Sequence, residues 1–288
     1  MVSRRQFVSI TGLCLPGLLH ATPERFAGLP ARTAALEHAG GGRFGLAVLD
    51  VSTGERSGYR TDERFPMCST FKFLLASAVL RKVDRGEEAP ERTVGVPRGP
   101  LLSNSPLTEA HAGRSMSIIA LCQAAITHSD NTAANLLLET IGGPPGVTSF
   151  ARSIGDTVTR LDRTEPSLNE ALAGDPRDTT SPAATVANLR TILLGEELSS
   201  RSRSQLIRWM ESSVTGLRCL RAGLPPGWRV ADKTGSNGTH TRNDIAVVWM
   251  PRRRPIVMAA YITQCPGAEI KRDRLLAAMG RLTADAYS

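Results

Sequence analysis

Three short runs put a nucleophile, a base and an anion-binding group into one chain: "STFK" at 69–72, "SDN" at 129–131 and "DKTGS" at 232–236. Ser69 and Lys72 stand three residues apart where an apolar stretch, "FKFLLASAVL", begins. On a helix that spacing puts both side chains on one face, so the amine can approach the hydroxyl oxygen. A lysine serves as a base only where burial or positive neighbours lower its pKa. A serine at a helix start also carries its backbone N–H at the positive dipole end, a ready oxyanion donor. An N-cap serine with a snorkelling lysine explains the same four residues. In "SDN", Ser129 can pass a proton to a leaving nitrogen and Asn131 can bind an amide, or the run can be another N-cap. Lys233 can bind a carboxylate and Gly235 lets a ligand approach the backbone edge; alone, that run is an ordinary strand-to-turn signal.

The elements that must position these residues follow from periodicity. "RFGLAVLDVSTGERSGYR" (43–60) alternates and turns at Ser52, Thr53 and Gly54, which predicts a β-hairpin. From Ser69 to about Met210 the pattern is helical, with "SIIALCQAAITHS", "NTAANLLLETIG", "SPAATVANLRTILLG" and "SRSQLIRWMES" punctuated by Gly, Pro, Ser and Asp. A polar stretch at 160–182 interrupts them and is long for a loop, which marks it as functional or disordered. Strands return in "WRVADKTGS", "NDIAVVWM" and "RPIVMAAYIT", and "KRDRLLAAMGRLTADA" closes the chain as a helix. Strands from both chain ends predict one antiparallel sheet, with the helical block as a second lobe and a cleft between them.

The 288 residues are 41% hydrophobic and 22% charged, which is ordinary globular composition for one large or two modest domains. The net charge of +8 comes from scattered arginines, and only 5% of residues are aromatic, so nucleic-acid binding is not expected. "PRRRP" (251–255) lies between two strand-like segments and reads as a solvated turn. At the N-terminus, paired Arg4 and Arg5 precede Phe7 and an apolar run too short to span a bilayer, a pattern that resembles a twin-arginine export signal. Residues 1–27 are assigned to it, with the mature start between 22 and 31. No later stretch suits a membrane span, so no stable membrane association is expected after export. The five histidines (His20, His38, His111, His128, His240) have no zinc-binding spacing, and Cys68, Cys122, Cys219 and Cys265 form no C-x-x-C pair. No metal and no cofactor are expected; Cys68 and Cys122 read as small buried residues.

In order and widely spaced, S-x-x-K, S-D-N and K-T-G form the serine acyl-transfer signature of penicillin-recognising enzymes. With "RFPMCSTFK", "AAITHSDNTAANLLL", "VTRLDRTEPSLNEA", "RDTTSPAA", "GWRVADKTGS" and "NDIAVVW", the chain resembles the class A serine β-lactamases from about Leu36 to the last helix. The resemblance implies a serine β-lactamase/transpeptidase-like fold. It has a five-stranded antiparallel sheet flanked by helices, built from 28–60 and 213–288, and an all-helical lobe at 61–212. "EPSLN" (165–169) matches the family's loop motif, so Glu165 and Asn169 are expected to hold a hydrolytic water, and Arg163 to pair with Asp178 across the loop's neck. Transpeptidases and carboxypeptidases lack this glutamate.

The resemblance further implies roles. Ser69 is the nucleophile, activated by Lys72 or by Glu165 through water. Ser129 is the proton donor and Asn131 the holder of the acylamide. Lys233, Thr234 and Arg242 form the carboxylate site, Gly235 lets the substrate approach the strand edge, and the backbone N–H groups of Ser69 and Ser236 form the oxyanion site. The expected partners are β-lactams, and the expected state is an exported, periplasmic monomer. Departures concern the cleft wall, where Asn104 replaces an aromatic residue, and the disulfides, since Asn237 stands where one branch has a cysteine and Ala76 where others pair with Cys122. A carboxypeptidase acting on D-Ala-D-Ala peptides is the alternative reading.

Overall fold

The computed structural model describes residues 25–288. Helix α1 (Leu29–Gly40) leads into β1 (Arg43–Asp50) and β2 (Arg56–Tyr59), the expected hairpin. The chain then crosses through β3 (Phe65–Pro66) into a single 3-10 turn, Cys68–Thr70, and α2 (Phe71–Asp84). The helical lobe continues with β4 (Thr93–Gly95), α3 (Pro106–Glu109), β5 (Ser115–Ser117), α4 (Ile118–Thr127), α5 (Asn131–Thr140) and α6 (Pro144–Ser153). After the polar loop come β6 (Thr179–Thr180), α7 (Pro182–Leu194), α8 (Ser200–Glu211) and α9 (Leu220–Gly223). Strands β7 (Arg229–Ser236), β8 (Arg242–Trp249) and β9 (Ile256–Thr263) return to the sheet, and α10 (Glu269–Ala284) packs behind it.

The sheet is antiparallel in the order β2-β1-β9-β8-β7, so the two chain ends meet at the β1–β9 pair. Alternation sorts its side chains into two cores. Phe44, Leu46 and Val48 of β1 with Met258 and Ile262 of β9 face α1 and α10, while Ala47, Leu49, Val257 and Tyr261 face the helical lobe. Because both faces are covered, these strands read as nearly continuous apolar runs. In the other lobe α2 is buried from Phe71 to Leu80, an apolar helix packed on all sides.

Three differences from the sequence reading stand out. The helical lobe is not all-helical, because β3 pairs with β6 and β4 with β5 as two-stranded ribbons. Helix α6 has no place in the expected set: "PPGVTSFARS" opens with two prolines, which are tolerated in a first turn. The expected leader lies outside the described residues except for Arg25–Ala27, and these belong to the folded unit. Phe26 is buried against Tyr287, with its N–H donating to Glu55 Oε1 (2.9 Å) and its carbonyl accepting from Ser57 Oγ (3.2 Å). The Arg252–Arg254 run forms an exposed turn between β8 and β9, as expected. Cys68, Cys122, Cys219 and Cys265 are buried free thiols.

Candidate active site

The nucleophile candidate is not a helix cap. Thr70 occupies the N-cap position of α2, and Ser69 sits one residue earlier in the 3-10 turn, where Cys68 takes a left-handed conformation (φ 45°). Such a conformation costs a non-glycine residue about 1–3 kcal/mol and persists only where the surroundings enforce it. The Ser69 hydroxyl is engaged by side chains. It accepts from Lys72 Nζ (3.1 Å) and donates to Glu165 Oε1 (3.3 Å).

"SDN" divides its labour. Asp130 is the cap of α5, its Oδ1 accepting from the Ala133 N–H (2.9 Å) and its Oδ2 from the N–H groups of Leu107 (3.0 Å) and Thr108 (2.9 Å). With Asp130 holding the turn, Ser129 (φ 57°) and Asn131 turn their side chains toward the lysines. Lys72 Nζ donates to Asn131 Oδ1 (2.5 Å), the Ser129 carbonyl (2.8 Å) and Ser129 Oγ (3.4 Å), and it pairs with Glu165 at 3.0 Å. Lys233 Nζ reaches the same Ser129 Oγ at 3.0 Å and the Thr234 carbonyl at 2.7 Å. One hydroxyl therefore bridges two buried amines.

Burial pushes the Lys72 ammonium below its usual pKa, and Glu165 opposes that shift. Burial pushes Lys233 well below, and the Lys72 charge adds to it. Glu165 is held from three sides. Asn169 Nδ2 donates to its Oε2 (2.5 Å), and Asn135 of α5 clamps its backbone, accepting from the Glu165 N–H (3.0 Å) and donating to the Glu165 carbonyl (2.9 Å). The loop neck is closed by Arg163, whose Nε donates to Asp178 Oδ2 (2.6 Å), while Asp178 Oδ1 accepts from the N–H groups of Asp162 and Arg163.

Opposite the turn runs β7. A side chain at Gly235 would lie 2.6 Å from the Met67 carbonyl oxygen and 3.2 Å from the Ser69 nitrogen, so only glycine lets the strand pass this close. That approach sets the main chains of Ser69 and Ser236 on facing walls. Thr234 Oγ1 donates to Thr215 Oγ1 (2.6 Å). Arg242 faces the cleft, but its charge is shared: Nε donates to Asp273 (2.7 Å), Nη2 to the Thr215 carbonyl (3.1 Å), and Glu269 lies 3.9 Å away.

All eleven residues singled out from the sequence converge here. Ser69, Ser129, Asn131, Asn169, Thr234, Gly235, Ser236 and Arg242 line a cleft of about 800 Å³ between the lobes, and Lys72, Glu165 and Lys233 lie buried beneath its surface. Sequence reasoning did not find Asn135, Thr215, Asp273 or Glu269, whose carboxylate accepts from Ser236 Oγ (3.0 Å). Asn135 alone gave a signal, lying four residues after Asn131 on the same helix face. Asn104, in the place of an aromatic wall, also lines the cleft and donates to the Ser129 carbonyl (2.8 Å). Among the described residues no group of acidic, histidine and cysteine side chains is arranged to hold a metal ion. Nor is any helix long and apolar enough to cross a membrane.

Comparison with known proteins places this geometry. The β-lactamase enzyme family matches residues 29–288. β-Lactamase L2 of Stenotrophomonas maltophilia is 48% identical over 297 residues, covering 98% of each chain, and β-lactamase CTX-M-8 of Citrobacter amalonaticus is 42% identical over 286 residues, again covering 98% of each. Among solved structures, a β-lactamase from Xanthomonas campestris superposes with a TM-score of 0.90 at 50% identity, over 92% of this chain and 99% of its own. An ancestral class A β-lactamase of Gram-negative bacteria gives 0.88 at 57% identity, over 90% and 99%. Matched along nearly its whole folded length and carrying the family's loop glutamate beside its serine, the chain belongs to the class A serine β-lactamases.

Proposed function

We propose that the protein hydrolyses the β-lactam ring of penicillins and early cephalosporins through a Ser69 ester, and thereby confers resistance to them. The observation that carries this reading is the buried Glu165 carboxylate in contact with both Ser69 Oγ and Lys72 Nζ. The substrate carboxylate binds at Lys233, Thr234 and Arg242, and the acylamide side chain at Asn131. The Ser69 and Ser236 N–H groups polarise the lactam carbonyl, where each such donor is worth about 10²–10³ in rate. Ser69 Oγ attacks the carbonyl carbon and gives its proton to Glu165 or Lys72. Ser129 Oγ donates its proton to the departing ring nitrogen and is resupplied by the adjoining amines. A water then attacks the ester, Glu165 takes its proton, Asn169 keeps the carboxylate oriented, and Ser69 leaves with its hydroxyl restored.

Substrates are small β-lactams; the chain binds no nucleic acid, acts as a monomer and uses no metal or cofactor. Arg4 and Arg5 with the following apolar run support twin-arginine export to the periplasm. The buried Phe26 supports cleavage ahead of Arg25, which N-terminal sequencing of exported protein tests. The Ser236 hydroxyl and Arg242 support penicillin and cephalosporin turnover, and Asn237 in place of a cysteine supports poor carbapenem hydrolysis. The deciding experiment is purified enzyme with benzylpenicillin, followed by absorbance and intact mass. Many turnovers with no lasting adduct are expected; a persistent stoichiometric adduct would instead mark a penicillin-binding carboxypeptidase.

A further inference from the structure

The "PRRRP" run takes no part in the reaction, yet it borders a second recess at the far end of the sheet. A cavity of about 550 Å³ lies between the last turns of α7 and the ends of β1, β8 and β9. Arg56, Arg190 and Arg254 line it, with Glu196 as the lone acid. Among the described residues none of these three guanidinium groups makes a hydrogen bond or ion pair, whereas most of the other arginines near the surface have one. The α7 C-terminal carbonyl at Gly195, which would otherwise offer negative charge, already accepts from Arg203. The floor is apolar: Val51, Leu194 and the Trp249 ring, whose other contact is the Arg229 guanidinium. A neighbouring cavity of about 480 Å³ shares Arg56 and continues past Ala47, Ala183 and Val186, with Ser57, Thr61 and Asp62 also lining it. The two share a lining residue and make one elongated groove, cationic at one end and mixed apolar and polar beyond it.

We propose that this groove binds an amphiphilic anion, a phosphate or carboxylate head on an unbranched apolar body. Guanidinium forks match either head, and an oxyanion meeting three of them forms charge-assisted bonds. The body lies along α7, removing apolar surface from water. The site is independent of the catalytic cleft. Arg242 and Trp249 are opposite ends of β8, roughly 23 Å apart at strand rise, beyond the Debye length of about 8 Å at physiological salt.

Calorimetry with dodecyl phosphate below its micelle concentration tests this. Laurate, inorganic phosphate and dodecyltrimethylammonium serve as parallel probes. Dodecyl phosphate and laurate should each bind at one site, at least about tenfold tighter than inorganic phosphate, and the ammonium probe should not bind. If one anionic amphiphile binds and the other does not, that probe names the head group the site takes. The double variant Arg190→Glu/Arg254→Glu removes two attractive charges and adds two repulsive ones, each worth up to about fivefold when exposed. It should weaken binding at least about tenfold while benzylpenicillin turnover stays at the wild-type rate. Equal affinity of wild type and double variant would overturn the proposal. So would inorganic phosphate or the ammonium probe binding as tightly as dodecyl phosphate.

Discussion

Two lysines are buried within one hydroxyl's reach of each other, and the cleft treats them oppositely. Lys72 ends among acceptors: a carboxylate at 3.0 Å, an amide oxygen at 2.5 Å and a main-chain carbonyl at 2.8 Å. Lys233 ends against a hydroxyl and one carbonyl, with no carboxylate in contact with its amine. Burial lowers both pKa values, but the shift on Lys233 is the larger and the Lys72 charge deepens it. The Lys72 corner is electrostatically complete before substrate arrives. On the proposed function, the Lys233 corner is completed by the substrate carboxylate. A catalytic group and a receptor can thus share a residue type and be told apart by what already compensates them.

Removing the nucleophile has the largest effect and leaves the carboxylate and carbonyl partners of both lysines in place. Ser69→Ala should cut benzylpenicillin hydrolysis by about 10⁶-fold, the scale of losing a catalytic serine, with thermal melting close to wild type. Wild-type-like turnover by contamination-free variant would remove Ser69 from the mechanism.

Replacing each lysine by methionine tests the contrast directly. Lys72→Met leaves the buried Glu165 carboxylate without its cation, and breaking a buried pair this way costs about 3–5 kcal/mol. Urea titration should show that loss, and turnover should fall by about 10²–10⁴ with the proton route. Lys233→Met removes a charge with no anion in contact, so stability should stay within about 1 kcal/mol of wild type or rise. Its KM should rise about 10- to 100-fold, the worth of one hydrogen bond to a charged group. Equal destabilisation by the two substitutions would erase the distinction.

The smallest effect is on the pH dependence of folding. A lysine whose folded pKa is depressed holds fewer protons folded than unfolded. Stability therefore rises with pH from the depressed folded value toward about pH 10. Wild type should gain stability along that window, and Lys233→Met should show a flatter slope. Identical slopes would mean that Lys233 stays charged in the free enzyme.

Much of this site was legible because its chemistry is carried by local runs. The three motifs in order named seven of the eleven residues, from Ser69 to Gly235, and Glu165, Asn169, Ser236 and Arg242 took their roles from the family resemblance. The strands of the sheet and α2 were equally plain, since long apolar periodic stretches must be buried. What stayed hidden was tertiary. The i, i+4 spacing from Asn131 puts Asn135 on the site's face of α5, but not its amide against Glu165 across thirty positions of sequence. Glu269 looks like an ordinary first-turn acid of α10 and Asp273 like a helical acid one turn on, yet they divide the charge of Arg242. Helix α6 escaped because its two prolines and glycine read as a breaker. The 160–182 loop gave its motif away but not its closure, which depends on Asp178 accepting from two backbone amides.

The central claim is that Glu165 completes the Lys72 corner in order to hydrolyse the Ser69 ester, and Glu165→Gln tests it most directly. The amide keeps the size and much of the hydrogen bonding of the carboxylate but cannot accept the water's proton. Lys72 still touches Ser69, so the ester should form, while deacylation should slow by about 10²–10⁴. Intact-protein mass spectrometry after mixing with benzylpenicillin, sampled from seconds to an hour, should show an adduct on Ser69 that outlives many wild-type turnovers. Hydrolysis by the variant at the wild-type rate, with no adduct at any time, would contradict the account.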